Sequence, residues 1–306
     1  MKIGNRQFEL DGSHTYVMGI LNVTPDSFSD GGSYNNADAA LKHVEQMLSE
    51  GADIIDIGGE STRPGFQRVS LEEETERVCD TIARIKERFD VPISIDSYKA
   101  GVAEAAVKSG ADVINDVWGF KLDSDTYKGY EGDENLTMAE VAVNSGVPVI
   151  LMHNSRPTPQ QEKEQAEGTP GTTANLTKTA YQDMKEYADI LIGEINLMAE
   201  SAVKAGVLKE NIIVDPGVGF GKTQEENLAV MKYLGEITLR VPYPVLLGTS
   251  RKSFIGNALD LPVDEREEGT LVTTLMAAET HCPFVRVHDV KKNVRVLKMY
   301  EAIQNC

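Results

Sequence analysis

Eight short β-branched runs recur along the chain, each followed by a stretch whose apolar residues return every three or four positions. The runs cover 16–23, 53–58, 92–96, 113–117, 147–152, 212–215, 245–248 and 285–288. Their interiors are continuously apolar instead of alternating, the pattern of parallel strands covered on both faces. Between them lie helical seams: Ala40, Val44, Met47 and Leu48; Tyr181, Met184, Ala188, Leu191, Ile195, Met198 and Ala202; and Val290, Val294, Leu297 and Tyr300. Gly51, Gly110, Gly146 and Gly206 each stand between a helix and the next strand, as helix-ending glycines do. Dividing 306 residues by eight gives about 38 per unit, in keeping with an α/β chain forming a TIM (β/α)8 barrel of roughly 250 residues plus insertions. A doubly wound open sheet is the competing architecture, and alternation alone does not separate the two.

No linker rich in Pro, Gly or Ser divides the chain, so residues 1–306 are expected to form a single barrel domain. Two stretches break the periodicity. Residues 121–139 are acidic and turn-prone, and 154–175 contain Pro157, Pro159, Pro170 and Gly171. Both follow strands, the fourth and the fifth, so they are expected to be long loops on the functional face, either tolerated insertions or lids. The first fifteen residues, with Gly4-Asn5 between short β-like pieces, are expected to form a hairpin closing the opposite end.

Lys plus Arg (30) against Asp plus Glu (48) leaves a formal charge of −18, which disfavours chain-wide binding to nucleic acid or an anionic membrane but leaves room for a local anion site. Apolar residues at 41% and charged residues at 25% are those of a globular chain, which argues against disordered, collagen-like and disulfide-rich classes. Cys79, Cys282 and Cys306 are odd in number and widely spaced, and so are read as reduced thiols of a cytoplasmic protein. The start lacks an apolar signal core, and the longest apolar run, 147–152, is far too short to span a bilayer.

The chemistry lies where each run stops. The first ends at Asn22, followed by Thr24-Pro25-Asp26-Ser27-Phe28-Ser29-Asp30-Gly31-Gly32; the second runs into Gly58-Gly59-Glu60-Ser61-Thr62-Arg63-Pro64-Gly65. Then come Asp96, Asn115-Asp116, Met152-His153, Asp215-Pro216-Gly217, Gly248-Thr249-Ser250-Arg251-Lys252 and Arg286-Val287-His288. One polar residue after a strand is ordinarily a turn former. In a barrel, however, all these ends converge on the rim where active sites are built.

Gly217-Val218-Gly219-Phe220-Gly221-Lys222 resembles a nucleotide phosphate loop, but Pro216 and Lys222 occupy positions where the two nucleotide patterns need glycine. Its glycines better suit a sharp turn beside a flat ligand against which Phe220 packs. Ser250, Arg251 and Lys252 follow the seventh strand, where barrels commonly bind phosphate, and Arg286 and His288 fall on one side of the eighth. Together they favour a diphosphate or carboxylate site, a small cationic patch within an acidic surface. Asn22, beside the loop holding Asp26 and Asp30, suits magnesium, which takes few protein ligands and keeps phosphate oxygens and waters; turn chemistry is the better account of Asp26. The five histidines lack zinc spacing, and His14, His43 and His281 are unremarkable.

The segments 20–32 and 56–65, with Ser94-Ile95-Asp96-Ser97, Ile114-Asn115-Asp116, 215–222, 248–253 and Arg286-Val287-His288-Asp289, resemble the ordered motifs of the dihydropteroate synthase family across nearly the whole chain. That resemblance implies a magnesium-using transferase, commonly a homodimer and a sulfonamide target. Its reaction joins 4-aminobenzoate to 6-hydroxymethyl-7,8-dihydropterin diphosphate, giving 7,8-dihydropteroate and diphosphate. It further implies that Asp96, Asn115, Asp215 and Lys252 hold the pterin, with Val117, Met152, Phe220 and Gly248 around the ring. Asn22 would meet the diphosphate through magnesium, with Arg286 and His288 as donors. Thr62, Arg63 and Ser250 would bind aminobenzoate or diphosphate under Phe28 and Pro64. Asp96, Lys252, Arg63 and Asp30 are the residues to which catalysis is assigned. Asn154-Ser155-Arg156 departs from the family pattern, where a Met and a Gly are more usual. A pterin-binding methyltransferase should lack the Thr-Pro-Asp-Ser-Phe loop and the Ser-Arg-Lys block. A non-catalytic pterin-binding subunit should have lost Asn22, Asp96, Lys252 or His288.

Overall fold

The computed structural model describes residues 1–23, 33–60, 69–123, 136–157 and 183–306. The hairpin strands β1 (Lys2–Ile3) and β2 (Arg6–Gln7) pair antiparallel. The barrel strands are β3 (Tyr16–Asn22), β4 (Ile54–Gly58), β5 (Ile93–Asp96), β6 (Val113–Asp116), β7 (Val149–Met152), β8 (Ile212–Asp215), β9 (Leu246–Leu247) and β10 (Phe284–Val287). From β3 to β8 each pairs in parallel with the next, and β10 lies between β9 and β3. A parallel bridge between Val214 and Val245 joins the two ends of the sheet, so the strands close into a cylinder and the open-sheet alternative is excluded. Each strand lies within two residues of the span expected from sequence.

Helices return the chain between strands over 33–50, 71–88, 100–108, 138–145, 184–204, 224–232, 234–240, 253–259, 267–279 and 290–304. Their starts follow local hydrogen-bond chemistry. Thr137 with Glu140, and Thr223 with Glu226, form reciprocal capping boxes, while Asp183 accepts the N–H groups of Lys185 and Glu186. The four glycines expected to end helices all have positive φ, between 68° at Gly146 and 114° at Gly110. The seams bury as expected: Ala40, Val44 and Met47, then Ala188, Leu191, Ile195 and Ala202, then Val290, Val294 and Leu297. Tyr181 lies outside the described residues, as do 124–135 and 158–182, most of the two stretches expected to be long loops.

Two cores result. The outer one joins strand residues such as Ile55, Ile57, Ile93, Ile95, Ile114 and Val149 to the helices. The inner one fills one end of the cylinder with Met18, Ile54, Val113, Ile150, Ile213, Leu246 and Phe284, stopped from below by Ile3 and Phe8 of the hairpin. Phe8 meets Tyr16 edge-on at 4.7 Å between centroids and lies 5.9 Å from Phe284. The hairpin is therefore a plug, as its position in the sequence suggested. Phe8→Ala is expected to lower unfolding free energy by about 3–5 kcal/mol in urea denaturation while leaving ligand affinity unchanged. A loss below about 1 kcal/mol would mean the plug is dispensable.

Candidate active site

Strand residues two apart share a face, so the apolar floor determines what stands above it. Above Met18 come Ile20 and Asn22; above Ile54, Asp56 and Gly58; above Val113, Asn115 and Val117; above Ile150, Met152; above Ile213, Asp215; above Leu246, Gly248; and above Phe284, Arg286 and His288. Asp96 enters the same ring through its pairing with Gly58 on one side and Asn115 on the other. Asn22, Asp96, Asn115, Val117, Met152, Asp215, Gly248, Arg286 and His288 thus converge from seven strands, and Asp56 joins them from the eighth. Asp116 is out of phase. Its carboxylate accepts the N–H groups of Trp118 at 2.9 Å and Phe120 at 2.7 Å, which makes it a turn former.

The centre of the ring is Arg286, whose Nε donates to Asp56 Oδ2 and whose Nη2 donates to Asp96 Oδ2, both at 2.6 Å. Asn115 Nδ2 lies 3.4 Å from both Asp56 oxygens, a loose approach. Asp96 Oδ1 is buried with no hydrogen-bond partner among the described residues, an acceptor waiting for a donor. Burial lifts the Asp96 carboxyl to about 7, an effect that the Arg286 charge opposes and the Asp56 charge reinforces. Asp56 was not singled out in the sequence. Its signal was an acid inside an apolar strand, in phase with the inward face.

Asp215 Oδ1 accepts Gly217 N–H at 2.7 Å. A Cβ at Gly248 would stand 3.3 Å from Asp215 Oδ2 and 3.8 Å from Lys252 Nζ, so the missing side chain leaves a space flanked by carboxylate and ammonium. Lys252 Nζ donates to Val218 O at 2.5 Å and lies 4.7 Å from the Phe220 ring centroid, with Arg156 Cζ 5.0 Å from the same ring. Burial lowers the Lys252 ammonium to about 8, and Asp215 opposes the fall. Gly217, Gly219 and Gly221 all have positive φ, and a Cβ at Gly217 would lie 1.8 Å from His153 O. The sharp turn expected of this loop is present.

Ser250 Oγ accepts the backbone N–H of His288 at 3.2 Å and lies 2.9 Å from His288 Nδ1. Arg251 instead turns towards Glu267 Oε2 at 3.3 Å, and its N–H donates to Thr270. Among the described residues the rim is therefore of mixed charge, with Asp56, Asp96 and Asp215 facing Lys252 and Arg286 and with Arg251 turned away to Glu267, where the sequence suggested a cationic patch. Asp26, Phe28, Asp30, Thr62, Arg63 and Pro64 lie outside the described residues. No group of three or more His, Cys, Asp or Glu among the described residues could hold a metal ion. The amide oxygen of Asn22, 3.8 Å from the Cβ position of Gly58 at the mouth of the ring, supplies one hard oxygen of the kind magnesium accepts beside phosphate and water.

A family model described as "Pterin binding enzyme" matches residues 18–288. Dihydropteroate synthase of Clostridium beijerinckii is 51% identical over 99% of both chains. A crystal structure of dihydropteroate synthase from Clostridium difficile, in the presence of pteroic acid, superposes with a TM-score of 0.79 at 43% identity, covering 97% of this chain and 99% of that one. The Xanthomonas albilineans enzyme with 4-aminobenzoic acid gives 0.79 at 34% identity, covering 97% and 95%. By sequence over its full length and by the architecture of its barrel, the chain belongs to the pterin-binding enzymes, among the dihydropteroate synthases.

Proposed function

We propose that this chain joins 4-aminobenzoate to 6-hydroxymethyl-7,8-dihydropterin diphosphate, releasing 7,8-dihydropteroate and diphosphate, within a single barrel domain. The observation that carries the assignment is the buried, unpartnered Asp96 Oδ1 beside Asn115, with Asp215 and Lys252 across the ring. A pterin presents an edge of N–H donors and a carbonyl, which two carboxylates, a carboxamide and an ammonium match in type and number. Val117, Met152, Phe220 and Gly248 give that flat ring apolar neighbours and room. Asn22, His288 and Ser250 stand higher on the same face, where the diphosphate and second substrate belong, and Thr62, Arg63, Phe28 and Pro64 are assigned to that end by sequence alone. Arg286 is assigned with His288 to the diphosphate, and its Nε and Nη2 hold Asp56 and Asp96 in place.

An aromatic amine is already neutral near physiological pH, so the reaction needs a departing diphosphate and a stabilised carbocation more than a strong base. Magnesium, held by Asn22 and the substrate, would neutralise charge on the diphosphate. Asp96 faces the pterin and stabilises positive charge developing there, while Arg286 fixes its orientation. Homodimer formation and a cytoplasmic location belong to the same proposal; the three free thiols support the latter.

Diphosphate release on mixing the full chain with both substrates and magnesium tests the assignment, and no release would overturn it. Asp96→Asn is expected to lower kcat about 100- to 1,000-fold while weakening pterin affinity far less. An unchanged kcat would remove Asp96 from the chemistry. The pH profile carries a sign. Asp96 accepts N–H donors as the carboxylate, so kcat/KM should rise with pH through about 7; Lys252 donates as the cation, so kcat/KM should fall through about 8. Lys252→Arg keeps its charge throughout this range, and its residual activity should lose the alkaline limb.

A further inference from the structure

Beside the ring lies a half-buried lysine with no role in the chemistry above. Lys222 closes the glycine-rich loop after β8, and its Nζ makes three hydrogen bonds: to Gly217 O at 2.9 Å, His153 O at 3.1 Å and His153 Nδ1 at 3.1 Å. An ammonium only donates, so Nδ1 of His153 is an acceptor and its proton sits on Nε2, which lies 2.8 Å from Glu194 Oε2 on helix 184–204. His153 is itself buried in the wall of the barrel mouth. A chain of contacts therefore runs from the protein surface at Glu194 through His153 and Lys222 to Gly217, whose N–H holds Asp215 Oδ1.

Desolvation of Nζ pulls the Lys222 ammonium down to about 7 against the opposing charge of Asp215, a cost that an apolar side chain would not carry. A tie for the loop alone does not call for a full charge, since glycine conformations and the Gly219 N–H to Asn227 Oδ1 bond at 2.6 Å already shape it. What Lys222 adds is a rigid link between the ends of β7 and β8 through the three bonds of its Nζ and, while it carries its proton, positive potential behind Asp215. Its charge favours the ionised form of Asp215 against the burial that raises that carboxyl. Met152 and Asp215 are register partners across the same two strands, so the link also sets the spacing between an apolar wall and a polar edge of the slot.

We propose that Lys222 is a positioning residue for the pterin, acting through Asp215 and braced by His153 and Glu194, with no contact to the reacting atoms. The role rests on the function proposed above and concerns one substrate only. Lys222→Met keeps the length of the side chain and removes charge and donors. In calorimetric titration of the full chain with 6-hydroxymethyl-7,8-dihydropterin, its Kd is expected to rise at least about 10-fold, and the KM for the pterin diphosphate to rise in parallel. The KM for 4-aminobenzoate should stay within about 2-fold, a split that general loosening of the fold would not produce. His153→Ala leaves both carbonyl acceptors and should cost about 3-fold in the same titration; it decides the matter if Lys222→Met does not fold. An unchanged dihydropterin Kd in the folded variant, or equal losses for both substrates, would overturn the role. A wild-type chain that does not bind the dihydropterin would instead remove the function on which the role depends.

Discussion

One guanidinium organises the mouth of this barrel. Arg286 reaches from β10 past β3 to Asp56 on β4 and Asp96 on β5, so β10 is tied across the interior to a pair of strands with which it shares no edge. Three charges in so dry a place are tolerable only as a set, because removing one leaves the others buried without a partner, typically at about 3–5 kcal/mol. The same arrangement presents the second oxygen of Asp96 to an incoming donor. Burial set against the Arg286 charge keeps the Asp96 carboxyl at about 7, so the group that ties the strands together is also poised to titrate close to neutral pH.

The two ends of the cylinder divide the remaining work. At the closed end, large apolar side chains fill the lumen and the hairpin seals it, so the lower strands are held independently of any ligand. At the open end, the same inward face carries carboxylates, a carboxamide and cations, and glycines at 58 and 248 leave space where side chains would otherwise stand. The period of two along each strand is what makes this possible. A shift of one residue in β4 or β8 would turn the inward acid outward and bring an apolar neighbour inward, and in β6 it would exchange Asn115 for Asp116.

Much of this was legible in the sequence. Alternating apolar runs and helical seams gave the eight strands to within two residues, because buried parallel strands and amphipathic helices have distinct periods. The rim residues were legible too, since strand ends in a barrel are polar only for turns or for function. Asp56 and Lys222 were harder. Asp56 sits within an apolar run, and its partner Arg286 is 230 residues away in the chain. Lys222 ends a loop that mimics a nucleotide pattern, and its acceptors are mostly backbone carbonyls, which leave no mark on composition.

The sequence by itself determined the order of strands and helices, the identity of the residues at each strand end and the family to which they belong. Periodicity and motif order are properties of the chain, readable without coordinates. Tertiary structure alone decided which of those polar groups pair with each other and which remain open to a ligand. Local charge counting suggested a cationic patch, whereas closure of the barrel brings Arg286 onto two carboxylates and turns Arg251 towards Glu267. The physical reason is distance. Electrostatic energy depends on separations of a few ångströms across the lumen, and these are set by sheet closure and register, not by proximity along the chain.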